Sequence, residues 1–276
     1  MENLNFDVVV KIGSMAMVRE TDNEINYNIL SGLAKELRPG YILISSGAME
    51  IGRIDYIHRN GCELRGNLEE IKTDYAAQGQ AILMSLYRQF TDPKYSLRQV
   101  LVEHPHFNDP EKAEHLRALF YRAANQNAIP IVNYNDPISN EETRRMEIST
   151  LRESNESVVE CVDNDETAAV VARLVGAKKL VLLTSTDGIY RDVTDPSTLI
   201  EQITGDTMEE VLAKIDEVIK YCHGASRIGA NGAKAKLIYA KKALEAGTFV
   251  IIAHAKNRLS NILAGNVRCT MIKINK

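Results

Sequence analysis

The sequence has no excess of positive charge: 33 lysines and arginines stand against 37 aspartates and glutamates, for a formal net charge of −4. Nucleic-acid and anionic-membrane ligands usually require a basic footprint, so neither partner is expected. Any anionic ligand must be met by cations placed locally. The four cysteines, Cys62, Cys161, Cys222 and Cys269, form no CxxC pair and no Cys/His ligand spacing. A zinc site is therefore not expected, no metal-ligating set is assigned, and a reducing cytosol is the simplest setting. No apolar run approaches the roughly 20 residues that span a bilayer. The opening MENLNFDVVVKIG lacks the basic flank and long apolar core of a secretory signal. No fixed-period repeat, low-complexity tract or long linker divides the chain. These absences describe a cytoplasmic globular protein, and 276 residues with 45% hydrophobic content can bury a large core without staples.

What the chain does contain is a strand–turn–helix unit that recurs. FDVVVKI (6–12) is a short β-branched run ending at Gly13-Ser14, the pattern of a buried strand and its turn. Ile25, Ile29, Leu30, Leu33 and Leu37 predict a helix over 23–37, stopped by Pro39-Gly40. A strand over 41–44 leads into the turn Ser45-Ser46-Gly47-Ala48. A helix over 67–90, a strand over 99–102 and a long helix from Pro110 follow. The strand over 129–132 then runs into the polar turn Asn133-Tyr134-Asn135-Asp136. Residues 139–157 are dense in charge and hydroxyls, and predict an exposed hairpin or flap of the kind that forms a functional lid.

The chain is organised around residues 158–190. There the polar turn Asp163-Asn164-Asp165 opens a helix (166–175), which feeds the apolar strand 180–183 and a second polar turn, 184–188. Beyond it lie a turn-rich segment, an amphipathic helix over 208–219, a helix reaching Ala246, and strands over 248–253 and 270–274. Continuous Val/Leu runs suit a parallel sheet covered on both faces, whose ligands gather in loops past the strand ends.

Several residues in those loops read two ways. Lys11 closes an apolar strand, and either reaches solvent or meets an anion beside the small turn Gly13-Ser14. Ser45-Ser46-Gly47-Ala48 is either a capped turn or an anion-binding one; no GxSxG surrounds Ser46, so a nucleophilic serine is not proposed. Residues 229–236, GANGAKAK, do not have the spacing of a GxxxxGK[ST] loop, and read equally as a solvated basic helix start or as one flank of a phosphate site. Asp163 and Asp165 are either first-turn acids complementing a helix dipole or the counter-charge that holds two lysines in place.

Taken in order, VVVKIGS, SSGAMEIG, AAQGQ, IPIVNYND, VDNDETAAVVA, LVLLTSTDGIY and GANGAKAKL make the chain resemble the amino acid kinase family, and within it the branch that phosphorylates the side-chain carboxylate of glutamate. The resemblance implies a three-layer αβα sandwich with a mainly parallel central sheet. It implies one domain over 1–276, with an acceptor lobe to about residue 160 and an ATP lobe beyond it. ATP and Mg²⁺ are the implied cofactors, and a dimer or tetramer the implied assembly. Lys11 and Lys236 match lysines that stabilise the transferring phosphoryl group, and Asp165 the aspartate that orients them. Gly13 and Ser14 match a backbone cradle for phosphates. Ser46, Asp136 and Asn164 match acceptor contacts, with Gly47 and Asp163 in the same turns. Thr184, Ser185, Gly188, Asn231 and Gly232 match the border of the nucleotide.

The chain also departs from the family pattern. Thr184-Ser185 stands where Thr-Asp is usual, Gly229-Ala230-Asn231-Gly232-Ala233 replaces a richer glycine loop, Ala235 replaces a threonine, and Tyr134 occupies the place of a glutamate. The RNA-modification-type (PUA) domain that follows many relatives is not expected here. The stretch between Asp136 and Asp163 is longer than usual and carries Arg144, Arg145 and Arg152, whose guanidinium forks suit an acceptor with more negative charge. A solvated flap reads equally well, because Glu141, Glu142, Glu147 and Glu153 balance those arginines.

Overall fold

The computed structural model describes residues 6–19, 21–139, 141–154, 158–161, 163–222 and 232–275. Its strands are β1 (Val8–Ile12), β2 (Tyr41–Ser45), β3 (Ser96–Val102), β4 (Ala128–Tyr134), β5 (Lys179–Thr184), β6 (Gln202–Gly205), β7 (Phe249–His254) and β8 (Cys269–Ile274). They form one sheet in the order β3-β4-β2-β1-β5-β7-β8-β6. Six neighbours from β3 to β7 run parallel, and β8 turns antiparallel against β7. The strand β1 is central, with β2 and β5 on either side, so the chain changes direction across the sheet at that point. Ligand sites of open α/β sheets form at such a switch, beyond the carboxyl ends of the strands.

The helices in chain order are α1 (Ser14–Met17), α2 (Tyr27–Ala34), α3 (Ala48–Asn60), α4 (Leu68–Phe90), α5 (Pro105–Asn108), α6 (Pro110–Asn125), α7 (Glu141–Ser154), α8 (Asn164–Val175), α9 (Met208–Ile219), α10 (Gly232–Glu245) and α11 (Leu259–Leu263). They cover both faces of the sheet. Phe120, Val171, Ile215 and Leu237 from α6, α8, α9 and α10 pack on one face, and Leu30, Ile51, Leu83 and Ile262 from α2, α3, α4 and α11 on the other. This is the expected three-layer αβα sandwich. Strand side chains alternate between faces. Val8, Val10 and Ile12 enter the second core and Val9 the first, which puts Lys11 on the α8 side beside Ile44 and Leu182.

On the second face, α3 and α4 cross closely at paired glycines. A Cβ on Gly52 would lie 1.8 Å from the Tyr75 carbonyl oxygen, and one on Gly79 would lie 1.7 Å from that of Ala48.

Two expectations need correction. The helix predicted over 23–37 covers only Tyr27–Ala34. Asn23 is left-handed at φ 57, and Asn26 caps the helix by accepting the N–H of Ile29. The segment over 139–157 is not a hairpin: Glu141–Ser154 is helical. Acids in its first turn, an Arg145–Glu141 pair one turn apart and the buried anchor Ile148 explain why.

Candidate active site

The loops past β1, β2, β4 and β5 meet the N-terminus of α8. Asp163 caps that helix, its Oδ1 accepting the Asp165 N–H at 2.8 Å. The cap directs Asp165 inward, where only 1% of its side chain is exposed. Lys11 reaches Asp165 Oδ1 at 2.7 Å from β1, and Lys236 donates to Oδ2 at 2.8 Å from α10. Two ammonium groups from distant parts of the chain therefore hold one buried carboxylate. Burial alone would raise the pKa of Asp165, but Lys11 and Lys236 together outweigh it and hold the carboxyl below its ordinary range. Gly13 sits against this pair: a Cβ there would come 3.7 Å from Lys11 Nζ.

Lys11, Asp165 and Lys236 do not themselves line the cavity of ≈ 380 Å³, which begins at Ser14, next to Gly13, and at Asn164, next to Asp165. Ser14, Ser46, Gly47, Asn133 and Asn164 border it, as do Asp136 and Arg144. Gly47 turns the chain between β2 and α3 at φ 95, a left-handed value that favours glycine. Asn164 donates to Ser46 Oγ at 2.8 Å and approaches Asn133 Oδ1 at 3.3 Å; Asn133 in turn donates to Gln80 Oε1 at 2.8 Å. This chain fixes the polar wall shared by β2, β4 and α8. Asp136 meets solvent through the cavity, yet the walls crowd out enough water to push its carboxyl up to about 6; Glu50 adds to the rise and Arg144 opposes it.

The cavity wall also holds Glu50 on α3, Glu69 and Lys72 on α4, and Glu141 on α7. None of these is marked as a contact by the sequence pattern, apart from Glu141 among the α7 charges. Glu50 lies inside SSGAMEIG, and Glu69 and Lys72 are one helical turn apart, which is the available signal. Of the three arginines singled out, only Arg144 enters the cavity. Arg145 pairs with Glu141 and Arg152 with Glu160, and both arginines are exposed.

Of the residues expected to border a nucleotide, Thr184 ends β5, its carbonyl accepting the Ala255 N–H at 2.8 Å. Ser185 follows it, exposed. Gly188 is buried by packing, since a Cβ there would fall 2.4 Å from Thr270 Oγ1. Gly232 starts α10, one turn before Lys236. Asn231, with the rest of residues 223–231, lies outside the described residues. Asp163 does not border the cavity; its carboxylate is engaged by the cap.

Known proteins of similar sequence and fold are kinases. Glutamate 5-kinase from Enterococcus faecalis is 28% identical over 90% of this chain and 87% of its own length. Glutamate 5-kinase from a Synechococcus strain is 31% identical over 94% of this chain, which spans 66% of that relative. Carbamate kinase from Giardia lamblia, solved bound to AMP-PNP, superposes with a TM-score of 0.60 at 16% identity, covering 99% of this chain and 100% of its own. Residues 8–254 match the amino acid kinase family model, and with Lys11, Asp165 and Lys236 joined in one centre this chain is a kinase of the amino acid kinase family.

Proposed function

We propose that the protein transfers the γ-phosphoryl group of MgATP to the side-chain carboxylate of glutamate. The observation that carries this reading is the single buried carboxylate of Asp165, gripped from both sides by Lys11 and Lys236 at the edge of a polar cavity. Phosphoryl transfer needs positioned positive charge where the equatorial oxygens gather negative charge. The two ammonium groups, held in place by Asp165, meet that need. The acceptor is already an anion, so its oxygen attacks the γ-phosphorus directly, ADP leaves, and no proton has to move. No covalent bond to the enzyme is required.

The charges of the cavity favour an amino acid. Asp136, Glu50, Glu69 and Glu141 face it together with Lys72 and Arg144. A phosphate or phosphonate lacking an ammonium group would have nothing to offer Asp136 and Glu50, the two cavity carboxylates not already engaged as Glu69 and Glu141 are. Glutamate carries an ammonium group as well as two carboxylates, and so complements both signs. The N-terminal lobe, to about residue 160, would hold this acceptor. The remainder would hold ATP through Thr184 and the start of α10, with Gly13 and Ser14 of the N-terminal lobe cradling its phosphates. Among the described residues no three His, Cys, Asp or Glu side chains gather as a metal site. Mg²⁺ would be held by the phosphates of the nucleotide and would supply charge neutralisation there.

ADP release from MgATP, with hydroxylamine present to trap an acyl phosphate as its hydroxamate, tests the reading against a panel of acidic amino acids and phosphorylated acceptors. Glutamate should be turned over, and Lys236→Ala should abolish the hydroxamate. Turnover with a phosphate or phosphonate acceptor alone would replace glutamate, and nucleotide binding without turnover would remove the catalytic reading.

A further inference from the structure

Arg144 is the arginine of α7 that has no carboxylate partner among the described residues. Its Nε is shielded from solvent and finds no hydrogen-bond acceptor among them, although a buried cationic donor left unmade is costly. Its guanidinium lies over the Tyr134 ring, 5.5 Å from the centroid. The ring supports the plane of the fork without neutralising it, whereas a carboxylate at position 134 would occupy it. The Tyr134 hydroxyl shares a 2.9 Å hydrogen bond with Ser139 Oγ, which steadies the ring.

The helix that delivers this fork is itself held at three points. Its first N–H, from Glu141, donates to Glu69 Oε1 on α4 at 2.7 Å; Glu147 meets the buried His104 Nε2 at 2.8 Å; and Ile148 is buried. A long insertion that merely solvated the surface would need none of these attachments.

From the geometry we infer that Arg144 is the specificity-determining residue for the acceptor, and that its guanidinium fork receives the carboxylate that does not react. The inference rests on the proposed function. The reacting carboxylate must lie within reach of Lys11 and Lys236, on the Ser14 and Asn164 side of the cavity. The other carboxylate is then free to meet Arg144 from the α7 wall, while Asp136 and Glu50 face the ammonium group. Paired N–H donors matched to two carboxylate oxygens give this contact direction as well as strength.

Steady-state kinetics of the full chain test it, with wild type, Arg144→Ala and Arg144→Lys. Arg144→Ala should raise KM for glutamate roughly 30-fold while leaving kcat and the KM for MgATP nearly unchanged. Arg144→Lys should recover only part of the loss, since an ammonium group lacks the fork. Two competing ligands separate recognition from a general structural effect. Glutarate keeps both carboxylates, and its inhibition constant should worsen in Arg144→Ala as the glutamate KM does. 4-Aminobutyrate lacks the second carboxylate, and its inhibition should not change. An unchanged glutamate KM, or an equal loss for both inhibitors, would overturn the inference. If the wild type fails to turn over glutamate, the proposed function falls and the inference with it; turnover that is indifferent to Arg144 sinks the inference alone.

Discussion

Lys236 donates to the carboxylate of Asp165 at 2.8 Å although the two residues are 71 positions apart in the chain. The opposite oxygen of the same carboxylate is taken by Lys11. Replacing Asp165 with Asn keeps the shape but removes the charge that steers both ammonium groups. Turnover should fall by a factor of roughly 10² or more, as lost preorganisation commonly does. Buried Lys11 and partly buried Lys236 would also lose their counter-charge, at a stability cost of about 3–5 kcal/mol. Calorimetry and single-turnover assays read the two effects separately, and an unchanged rate would remove Asp165 from the mechanism. Because its folded pKa is depressed, the stability it supplies should be present above the ordinary carboxylate range and fade as pH falls through that range.

Asp136 predicts the opposite pH behaviour. Its carboxyl, pushed up to about 6, binds its proton more tightly in the folded chain than in the unfolded one. Stability should therefore decline as pH rises from the ordinary carboxylate pKa towards 6 and stay lower above it. Asp136→Asn should raise the melting temperature at pH 7.5 and leave it unchanged at low pH. If ionised Asp136 holds the acceptor's ammonium group, KM for glutamate should drop as pH rises through about 6, and Asp136→Asn should flatten that profile. A flat wild-type profile between pH 5 and 7 would place the ammonium group elsewhere.

The members of the proposed catalytic centre were legible as candidates because they sit at strand and helix ends with local signatures. Lys11 closes a β-branched run, and Asp165 follows a capping aspartate. The pairing of Lys236 with Asp165 was not legible from periodicity, since it depends on how α10 docks beside α8; only the resemblance pointed to it. The helix at 141–154 was missed for a different reason. Its apolar face is narrow, and its stability comes from charge pairs and one buried isoleucine that a hydrophobic pattern does not register. The short strand β6, Gln202–Gly205, was equally silent. Four residues with one buried isoleucine carry too little period to be told from a loop.

The contact between His104 and Glu147 offers a test of α7 that leaves the cavity untouched. His104 is buried and Glu147 is half exposed, so their 2.8 Å hydrogen bond holds α7 against the segment after β3. Removing it with Glu147→Ala should loosen the position of Arg144. A hydrogen bond of this kind contributes about 0.5–1.5 kcal/mol, so KM for the acceptor should rise roughly two- to tenfold. The KM for MgATP should stay constant. A matching change in both constants would mean that α7 acts on the whole protein and not on the acceptor side.

The crossing of α3 and α4 makes a prediction about folding alone. Gly52 and Gly79 let the two backbones approach so closely that a methyl group on either would overlap a carbonyl oxygen of the facing helix, and no flexible side chain is available to move aside. Gly52→Ala or Gly79→Ala must therefore push the helices apart, disturbing Ile51 and Leu83 in the core beneath. Overpacking against backbone costs about 1–3 kcal/mol or more, which corresponds to a drop of roughly 2–10 °C in Tm for a chain near this size. Because α3 begins at the cavity turn Ala48, the variants should also weaken the acceptor side before they affect nucleotide binding. Thermal unfolding of either alanine variant at the wild-type temperature would show that the helices are free to separate without loss, and that the glycine pair does not set their distance.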